Sequence, residues 1–405
     1  MTNAQTNGSD TVILSSARTP TGRLLGAISS LSATELGAIA VRAAVERAGI
    51  NGEEVDEVLM GQVVTAGAGQ GPARQAAINS GLPDTVGATT VNKVCGSGLK
   101  TVMLAASALR VGDGQLYVAG GMESMSQAPF LFREGRTGQR FGNAQMVDAN
   151  VSDALWCSFQ NWEMGHAAEF IADQFEITRE EMDEFALGSH RKAVDAIDNG
   201  RFQAEIVPVE VKGRKGSVNV VDTDEPPRRD TSIEALARLR PAFKEDGRVT
   251  AGNAPGLNDG AAAVVVASRD KAEQIGRKPV ARIVGYTQAA VDPKWIFYAP
   301  AKAIPAVLQK AGWSMGDVDL IELNEAFATQ VLADGRAIER EGLPWDWDKV
   351  NVNGGAVALG HPVGASGARV LVTLLYALQD RGLKRGIAAL CLGGGEAVAM
   401  AVELE

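Results

Sequence analysis

The residue best suited to nucleophilic chemistry is Cys95, in the segment VCGSG (residues 94–98). The β-branched run Thr89–Val94 predicts a strand before it, and apolar residues at helical spacing predict a helix after it. The unpaired N–H groups and the dipole at such a helix start favour the thiolate, which is the reactive form of cysteine. The alternative is a buried cysteine that only fills space. The small residues around Cys95 argue against it, because they leave room for a substrate carbonyl.

A second candidate is His361, one of only three histidines. It lies in the glycine-rich stretch NGGAVALGHPVGASGAR (residues 353–369), just before a helical pattern rich in Ala and Leu. A lone histidine is more often structural, but the glycines and Pro362 would hold this one in a fixed loop. We therefore interpret His361 as a functional residue.

Two more candidates follow predicted strands. Asn324 comes directly after the strand pattern Leu320–Leu323, and Cys391 ends the pattern Ile387–Leu390 ahead of three glycines. Because open α/β sheets bind ligands beyond the carboxyl ends of their strands, we expect Cys95, His361, Asn324 and Cys391 to share one site. Neither cysteine belongs to a CxxC pair, which argues against a zinc site.

The elements that must position these residues alternate between short strands and Ala-rich helices, which predicts an α/β fold with parallel strands. Ser32, with Glu35 three residues later, predicts a capped helix start. The predicted elements before residue 121 are strands 11–15, 57–60, 88–94 and 116–119 and helices 32–48, 72–80 and 98–110.

The same order of patterns returns near the C-terminus. RAAVERAGI (residues 42–50) aligns with PAVLQKAGW (residues 305–313), and EVDEV (54–58) then meets DVDLI (317–321) without a gap. Further on, Ser97-Gly98 corresponds to Ser366-Gly367, each opening a predicted helix. Convergence by chance is the alternative, but the ungapped register favours duplication of one unit.

The residues between the two units differ from them in composition, with scattered phenylalanines, turn residues and the basic cluster at 212–215. We expect an insertion with helices at 167–174 and 180–198 that covers a site on the first unit. The predicted domains are 1–121 with 249–272, the insertion 122–248, and 273–405.

Composition excludes several classes of protein. The net charge of −10 argues against a nucleic-acid surface, and three cysteines in 405 residues cannot form a disulfide framework. The polar N-terminus lacks a leader pattern, and the longest apolar run, Ala261–Ser268, is too short to span a bilayer. We therefore expect a cytoplasmic protein without nucleic-acid or membrane partners.

Several of these segments resemble the signature blocks of thiolases, a family that includes acetyl-CoA acetyltransferases and 3-ketoacyl-CoA thiolases. The blocks are VCGSG (94–98), NEAFA (324–328), the stretch 353–367 and CLGGG (391–395), with SARTP (16–20) and TAGN (250–253) as further matches. The resemblance runs from about residue 11 to 403. It implies two βαβ-rich halves stacked as a five-layered αβαβα core, with an inserted loop domain that holds coenzyme A.

The resemblance also implies a role for each candidate. Cys95 would take the acyl group as a thioester, His361 would accept its proton, and Cys391 would deprotonate the α-carbon of a second acetyl-CoA. Asn324, with a water molecule, and His361 would form one oxyanion hole. The backbone N–H groups of Cys95 and Gly393 would form the other. No metal or redox cofactor is implied, and coenzyme A thioesters enter as substrates.

For coenzyme A, the family pattern places Arg228 near the adenine nucleotide. Along the pantetheine it places Met164, Leu239, Phe243, Ala251, Ala326 and Phe327. Glu163, His166 and Pro255 depart from residues common in the family, and all three border the expected substrate path.

The expected reaction is the reversible condensation of two acetyl-CoA to acetoacetyl-CoA and coenzyme A. The alternative is a 3-ketoacyl-CoA thiolase of broader chain length in fatty-acid β-oxidation. We expect a homodimer or homotetramer, with residues 130–142 as a candidate contact loop.

Two rival functions use the same residues. A Cys-His-Asn hydrolase could be built from Cys95, His361 and Asn324, but it would have no use for Cys391. A non-catalytic acyl-CoA or lipid carrier would bind ligand without turnover, and an intact catalytic set argues against it.

Overall fold

A computed structural model describes residues 10–213 and 216–405 of the chain, so Arg214 and Lys215 of the basic cluster lie outside the described residues. The strands are β1 (Thr11–Arg18), β2 (Gly22–Arg23), β3 (Glu57–Gly61), β4 (Gly87–Val91), β5 (Leu116–Ser124), β6 (Phe130–Leu131), β7 (Val147–Asp148), β8 (Trp156–Cys157), β9 (Trp162–Glu163), β10 (Val209–Lys212), β11 (Val218–Val221), β12 (Asn258–Ser268), β13 (Ala281–Ala290), β14 (Leu320–Leu323), β15 (Arg385–Leu392) and β16 (Glu396–Leu404). The helices are α1 (Ala33–Ala48), α2 (Pro72–Asn79), α3 (Ser97–Val111), α4 (Met164–Gln174), α5 (Arg179–Asp198), α6 (Ile233–Ala237), α7 (Arg269–Gln274), α8 (Pro300–Ala311), α9 (Ala328–Arg340), α10 (Ala356–Leu359) and α11 (Val363–Arg381).

The main sheet repeats one strand order in both halves. The first half runs β4-β3-β5-β12-β1. The second half begins at Val350, which forms a parallel bridge with Ile321 in β14, and continues through β15 and β16 to β13. When the strands of each half are counted along the chain, both halves have the spatial order third, second, fourth, fifth and first. The bridge at Val350 takes the place of the third strand in the second half. The two first strands, β1 and β13, pair antiparallel where the halves meet. The repeated order is what duplication of one unit predicts.

The expectation of a parallel sheet holds only at the outer part of each half. β3 is parallel to β4 and β5, and β14 is parallel to β15, whereas β12 and β16 are antiparallel to their neighbours. Alternation along the chain indicates only parallel βαβ units. It therefore missed β12 and β16, each of which pairs antiparallel with the fourth strand of its unit.

Buried apolar residues form three main clusters, and these define five layers. One cluster joins α1 and α2 to the first half of the sheet, and another joins α8 and α9 to the second half. The third cluster contains α3 and α11 together with strand residues from both halves. The order is therefore helices, sheet, helices, sheet, helices, as the αβαβα expectation states.

The sequence accounts well for individual helices. Ser32 accepts a hydrogen bond from the backbone N–H of Glu35, whose side chain accepts from the N–H of Ser32, so the predicted capping box is present at α1. Gly49 ends α1 in the left-handed region, at φ +63°. Apolar composition alone would let residues 94–111 be considered as a membrane span, but α3 packs against α11 and both halves of the sheet.

Two predicted domain boundaries cut through regular structure. β5 continues to Ser124 and pairs with β12 along its length, so the boundary at 121 falls inside a strand. Gly120 and Gly121 lie in that strand, where neighbouring backbone leaves no room for a side chain at either position. The boundary at 272 falls inside α7, which packs on β1 and β12 of the first half.

The middle layer depends on the close crossing of α3 and α11. A Cβ on Gly98 would lie 2.7 Å from the backbone nitrogen of Ala368, and a Cβ on Gly367 would collide with the backbone nitrogen of Leu99. These glycines belong to the two Ser-Gly pairs that the duplication aligns. The crossing therefore joins equivalent points of the two units.

We expect Gly367→Ala to lower the free energy of unfolding by about 3 kcal/mol, because the added methyl group meets backbone rather than a movable side chain. Gly188→Ala is the matched control: it lies inside α5 with open space around it. It should raise the free energy of unfolding by about 0.5–1 kcal/mol through helix propensity. Urea unfolding of both variants measures the difference, and equal stabilities would contradict a tight crossing.

Candidate active site

A cavity of about 340 Å³ opens between the two halves and the insertion, a size usual for a small-molecule site. Cys95, His361 and Cys391 all line it. So do five of the residues expected along the pantetheine: Met164, Phe243, Ala251, Ala326 and Phe327. The structure therefore brings the two cysteines, the histidine and most of the expected apolar path together.

Cys95 lies in a sharp turn between β4 and α3, two residues before the helix begins. The preceding residue, Val94, has φ +47°, a conformation that β-branched residues rarely adopt and that costs about 1–3 kcal/mol. The Ser97 hydroxyl holds the turn: it donates to the carbonyl of Val94 at 2.6 Å and accepts from the N–H of Lys93 at 2.8 Å. This geometry presents the half-buried Cys95 to the cavity.

The thiol of Cys95 is held neutral rather than ionised. Burial raises its pKa to about 11, although hydrogen bonds from the backbone N–H groups of Gly393 and of Cys95 itself lower it. The charge of Glu123 raises it further. The N–H groups at the helix start therefore favour the thiolate, as expected, but desolvation outweighs them and raises the pKa overall.

His361 is fixed through both its backbone and its ring. Its N–H donates to Oδ1 of Asn258 at 2.9 Å, and its Nδ1 lies 2.6 Å from the Ser366 hydroxyl. That hydroxyl donates its own proton to the carbonyl of Pro362 at 2.9 Å, so we assign the proton between the ring and Ser366 to Nδ1. Nε2 keeps its lone pair and is buried without a hydrogen-bond partner in the described part of the chain.

Burial lowers the pKa of His361 to about 3, and the positive charge of Arg369 acts in the same direction. The imidazole is therefore neutral at physiological pH. A neutral ring with a free Nε2 can accept a proton inside the cavity, and solvent does not protonate it first.

Cys391 lies within β15 rather than just beyond it, because the strand continues to Leu392 and pairs Cys391 with Ala397 of β16. Its side chain is almost fully buried, and burial raises its pKa well above the usual value. A negative charge on Cys95, which lines the same cavity, would raise it further. Gly393 does not line the cavity, but its N–H faces the sulfur of Cys95.

Asn324 is fully buried and does not line the cavity, although its neighbours Ala326 and Phe327 do. Both polar atoms of its carboxamide lack a hydrogen-bond partner among the residues described. A buried amide is rarely left unpaired, so it is suited to hold a water molecule behind the cavity wall.

The other two residues expected to contact coenzyme A lie outside the cavity lining. Arg228 is exposed, and its backbone N–H donates to Nδ1 of His190 at 3.2 Å. Leu239 packs beside Leu236, and these two side chains leave no room for a side chain at Gly252. Of the three departures from the family pattern, Glu163 and Pro255 line the cavity, whereas the ring of His166 packs edge-on against Phe243.

Two buried carboxylates that sequence reasoning missed hold the loops of the site. Glu123 accepts hydrogen bonds from the N–H groups of Val63, Val64 and Gly364, which ties the start of α11 to the first half. Burial raises the pKa of Glu123 to about 7.

Glu325 accepts from Ser189, from Asn351 and from the N–H of Val357. These contacts hold the Asn324 segment against the loop that leads to His361. Glu325 lies in the block NEAFA (324–328) next to Asn324, which could have drawn attention to it, and Ser366 could have been found from its alignment with Ser97. Glu123 has no such signal. Within residues 10–213 and 216–405, no three His, Cys, Asp or Glu side chains are grouped as metal ligands would be.

A neutral thiol, a neutral imidazole acceptor and a second thiol around one largely apolar cavity define an enzyme of acyl transfer on a duplicated α/β fold. The models of the thiolase N-terminal domain and the thiolase C-terminal domain match residues 11–270 and 277–404, respectively. The chain belongs to the thiolase family.

Relatives cover nearly the whole chain. An acetyl-CoA acetyltransferase of Pseudomonas aeruginosa is 52% identical over 96% of this chain and 98% of its own. One of Cupriavidus necator is 52% identical over 97% of this chain and 99% of its own. The solved structure of an acetyl-CoA acetyltransferase from Syntrophomonas wolfei superposes with a TM-score of 0.96 at 43% identity, covering 98% of this chain and all of that one.

The high pKa of Cys95 predicts how its alkylation depends on pH. Only the thiolate reacts, so the rate constant with iodoacetamide should rise about tenfold per pH unit from 7 to 10. Cys95→Ser is the control, because it reports any reaction of the buried Cys157 and Cys391. A rate that levels off below pH 8 would show that the thiol is activated in the free protein.

Proposed function

We propose that the protein is an acetyl-CoA C-acetyltransferase that condenses two molecules of acetyl-CoA to acetoacetyl-CoA and coenzyme A, reversibly. The observation that carries this proposal is that Cys95, His361 and Cys391 line the same cavity. One thiol can carry the acyl group, while the second remains available for proton transfer at carbon.

In the first step, the Cys95 sulfur attacks the thioester carbonyl of acetyl-CoA and its proton passes to Nε2 of His361. The N–H groups of Gly393 and Cys95 stabilise the oxyanion. Coenzyme A leaves as a thiol with a proton supplied by Cys391. The products are an acetyl-Cys95 thioester, an imidazolium and a Cys391 thiolate, whose opposite charges stabilise each other in the buried cavity.

In the second step, the Cys391 thiolate removes a proton from the α-carbon of another acetyl-CoA. The enolate oxygen is stabilised by His361 and by a water molecule held on Asn324, whose unpaired carboxamide supports this role. The carbanion attacks acetyl-Cys95, acetoacetyl-CoA forms, and the Cys95 sulfur recovers its proton from His361. All protons are thus returned, and the reverse sequence is thiolysis.

Coenzyme A would lie with its pantetheine along Met164, Phe243, Ala251, Ala326 and Phe327, which form an apolar path. Arg228, exposed on the surface, and Leu239 remain proposed contacts of the outer part of the ligand. No metal or redox group takes part in this scheme.

The names of the relatives favour this reaction over a 3-ketoacyl-CoA thiolase of broader chain length. A hydrolase is disfavoured because Cys391 beside Cys95 would have no role in it. We also propose a cytoplasmic enzyme of fatty-acid metabolism that assembles as a homodimer or homotetramer. The exposed rings of Phe130, Phe132 and Phe141 support the loop 130–142 as a contact surface.

Replacing the two cysteines separates the two steps. Cys95→Ser should abolish cleavage of acetoacetyl-CoA, and the wild-type protein incubated with acetyl-CoA should gain about 42 Da, the mass of an acetyl group, on Cys95. Cys391→Ala should slow the acylation of Cys95, because the leaving coenzyme A loses its proton donor, and should form no acetoacetyl-CoA.

Intact-mass spectrometry and a spectrophotometric assay of thiolysis measure both outcomes. An active Cys95→Ser variant would refute the acyl-enzyme. A Cys391→Ala variant with wild-type condensation would favour chemistry that needs one cysteine only.

Ser366→Ala should reduce kcat by about 10- to 100-fold with little change in KM, because the imidazole loses the partner that keeps its proton on Nδ1. Ser80→Ala is the control, since it removes another buried hydroxyl that donates to a helix carbonyl at 2.6 Å, at the end of α2 and outside the cavity lining. Steady-state thiolysis compares the two, and equal kcat values would show that Ser366 does not position the ring.

A further inference from the structure

The cavity wall carries one unexpected charge. Among the described residues that line it, Glu163 alone has an acidic or basic side chain, apart from the thiols and His361; the others are mostly apolar. An unpaired carboxylate on an apolar wall is unfavourable unless it reaches water or a bound ligand.

Glu163 has no partner within the described protein that would account for its charge. It precedes α4 as the N-cap residue, yet its side chain does not cap the helix. It also makes no hydrogen bond or ion pair with the side chains that the structure describes. Glu163 is half-buried and lines the cavity, so its charge acts on whatever occupies the cavity.

The fold places Glu163 near the wall that contacts Cys95. Cys95 packs against an apolar cluster that includes Ala154 and Leu155, and both of these line the cavity. The next residue, Trp156 of β8, pairs with Glu163 of β9. The pairing of β8 with β9 therefore links Glu163 to the part of the cavity wall that lies beside Cys95.

We propose that Glu163 is a specificity-determining residue that selects uncharged acyl chains and rejects acyl-CoA substrates whose chain ends in a carboxylate. Two carboxylates in a cavity of low dielectric repel each other, and apolar walls offer no counter-charge. This inference rests on the proposed function, because it assumes that an acyl group extends from Cys95 into this cavity.

The test compares thiolysis of two 3-oxoacyl-CoA thioesters of equal chain length, one ending in a methyl group and one in a carboxylate. The wild-type protein should favour the methyl-terminated substrate in kcat/KM by about tenfold at low ionic strength. Glu163→Gln keeps the shape and removes the charge, so this ratio should fall towards one.

The preference should also shrink when ionic strength is raised, since salt screens a charge that is half-exposed. A purely steric wall would not respond to salt. Glu184→Gln is the control: it changes the net charge equally, but Glu184 is exposed on α5 outside the cavity, so the wild-type ratio should persist.

An equal ratio in the wild-type protein and Glu163→Gln, or a wild-type ratio that ignores salt, would overturn the inference. If Glu163→Gln fails to fold, the salt dependence of the wild-type ratio decides alone. Failure to cleave acetoacetyl-CoA would defeat the proposed function itself. Cleavage of acetoacetyl-CoA together with equal rates on the two test substrates, or with no cleavage of either, would defeat only the role of Glu163.

Discussion

The close crossing of α3 and α11 is the constraint on which the site depends. Each helix begins just after a candidate catalytic residue, Cys95 before α3 and His361 before α11. Because Gly98 and Gly367 let the two backbones nearly touch near their N-terminal ends, residues more than 250 positions apart in the chain reach one cavity. A side chain at either glycine would separate the nucleophile from its base.

Hydrogen bonds to the buried side chains of Glu123 and Asn258 hold in place the two helix starts that the glycines bring together. Glu123, at the end of β5, accepts from Gly364 in the first turn of α11, where the helix dipole also favours a negative charge. Asn258 holds the backbone of His361 and also donates to the carbonyl of Gly22 at 2.9 Å. The Glu123–Gly364 and Asn258–His361 contacts each join the first half of the molecule to the second, so the geometry of the site requires both halves to be folded.

Electrostatics explain why the resting site can be neutral and still react. Burial makes a charge on either Cys95 or His361 alone unfavourable, so their pKa values move apart to about 11 and about 3. In the proposed reaction, proton transfer during attack creates both charges at once, and the N–H groups of Gly393 and Cys95 would already face the developing negative charge. Preorganised donors of this kind act most strongly where solvent is absent.

Sequence reasoning located most elements because caps and periodicity are local signals. Ser32 with Glu35 marked the start of α1, and the aligned Ser-Gly pairs anticipated a repeated unit whose strand order the structure repeats. Properties that depend on the assembled interior escaped it. The antiparallel β12, the raised pKa of Cys95 and the contact between Ser366 and His361 all depend on which chain segments become neighbours after folding.

The insertion forms one wall of the cavity whose cysteines and histidine come from the duplicated halves. The buried Glu169 of α4 accepts hydrogen bonds from the backbone N–H groups of Arg248 and Val249, both at 2.7 Å. These bonds hold the end of the insertion against α4. Asn253 adds a hydrogen bond to Asp183 of α5 at 2.9 Å. These bonds set the wall formed by Glu163, Met164 and Phe243 at a fixed distance from the sulfur. Residues in the insertion can therefore change which acyl chains fit, while the crossing of α3 and α11, and with it the reaction, stays the same.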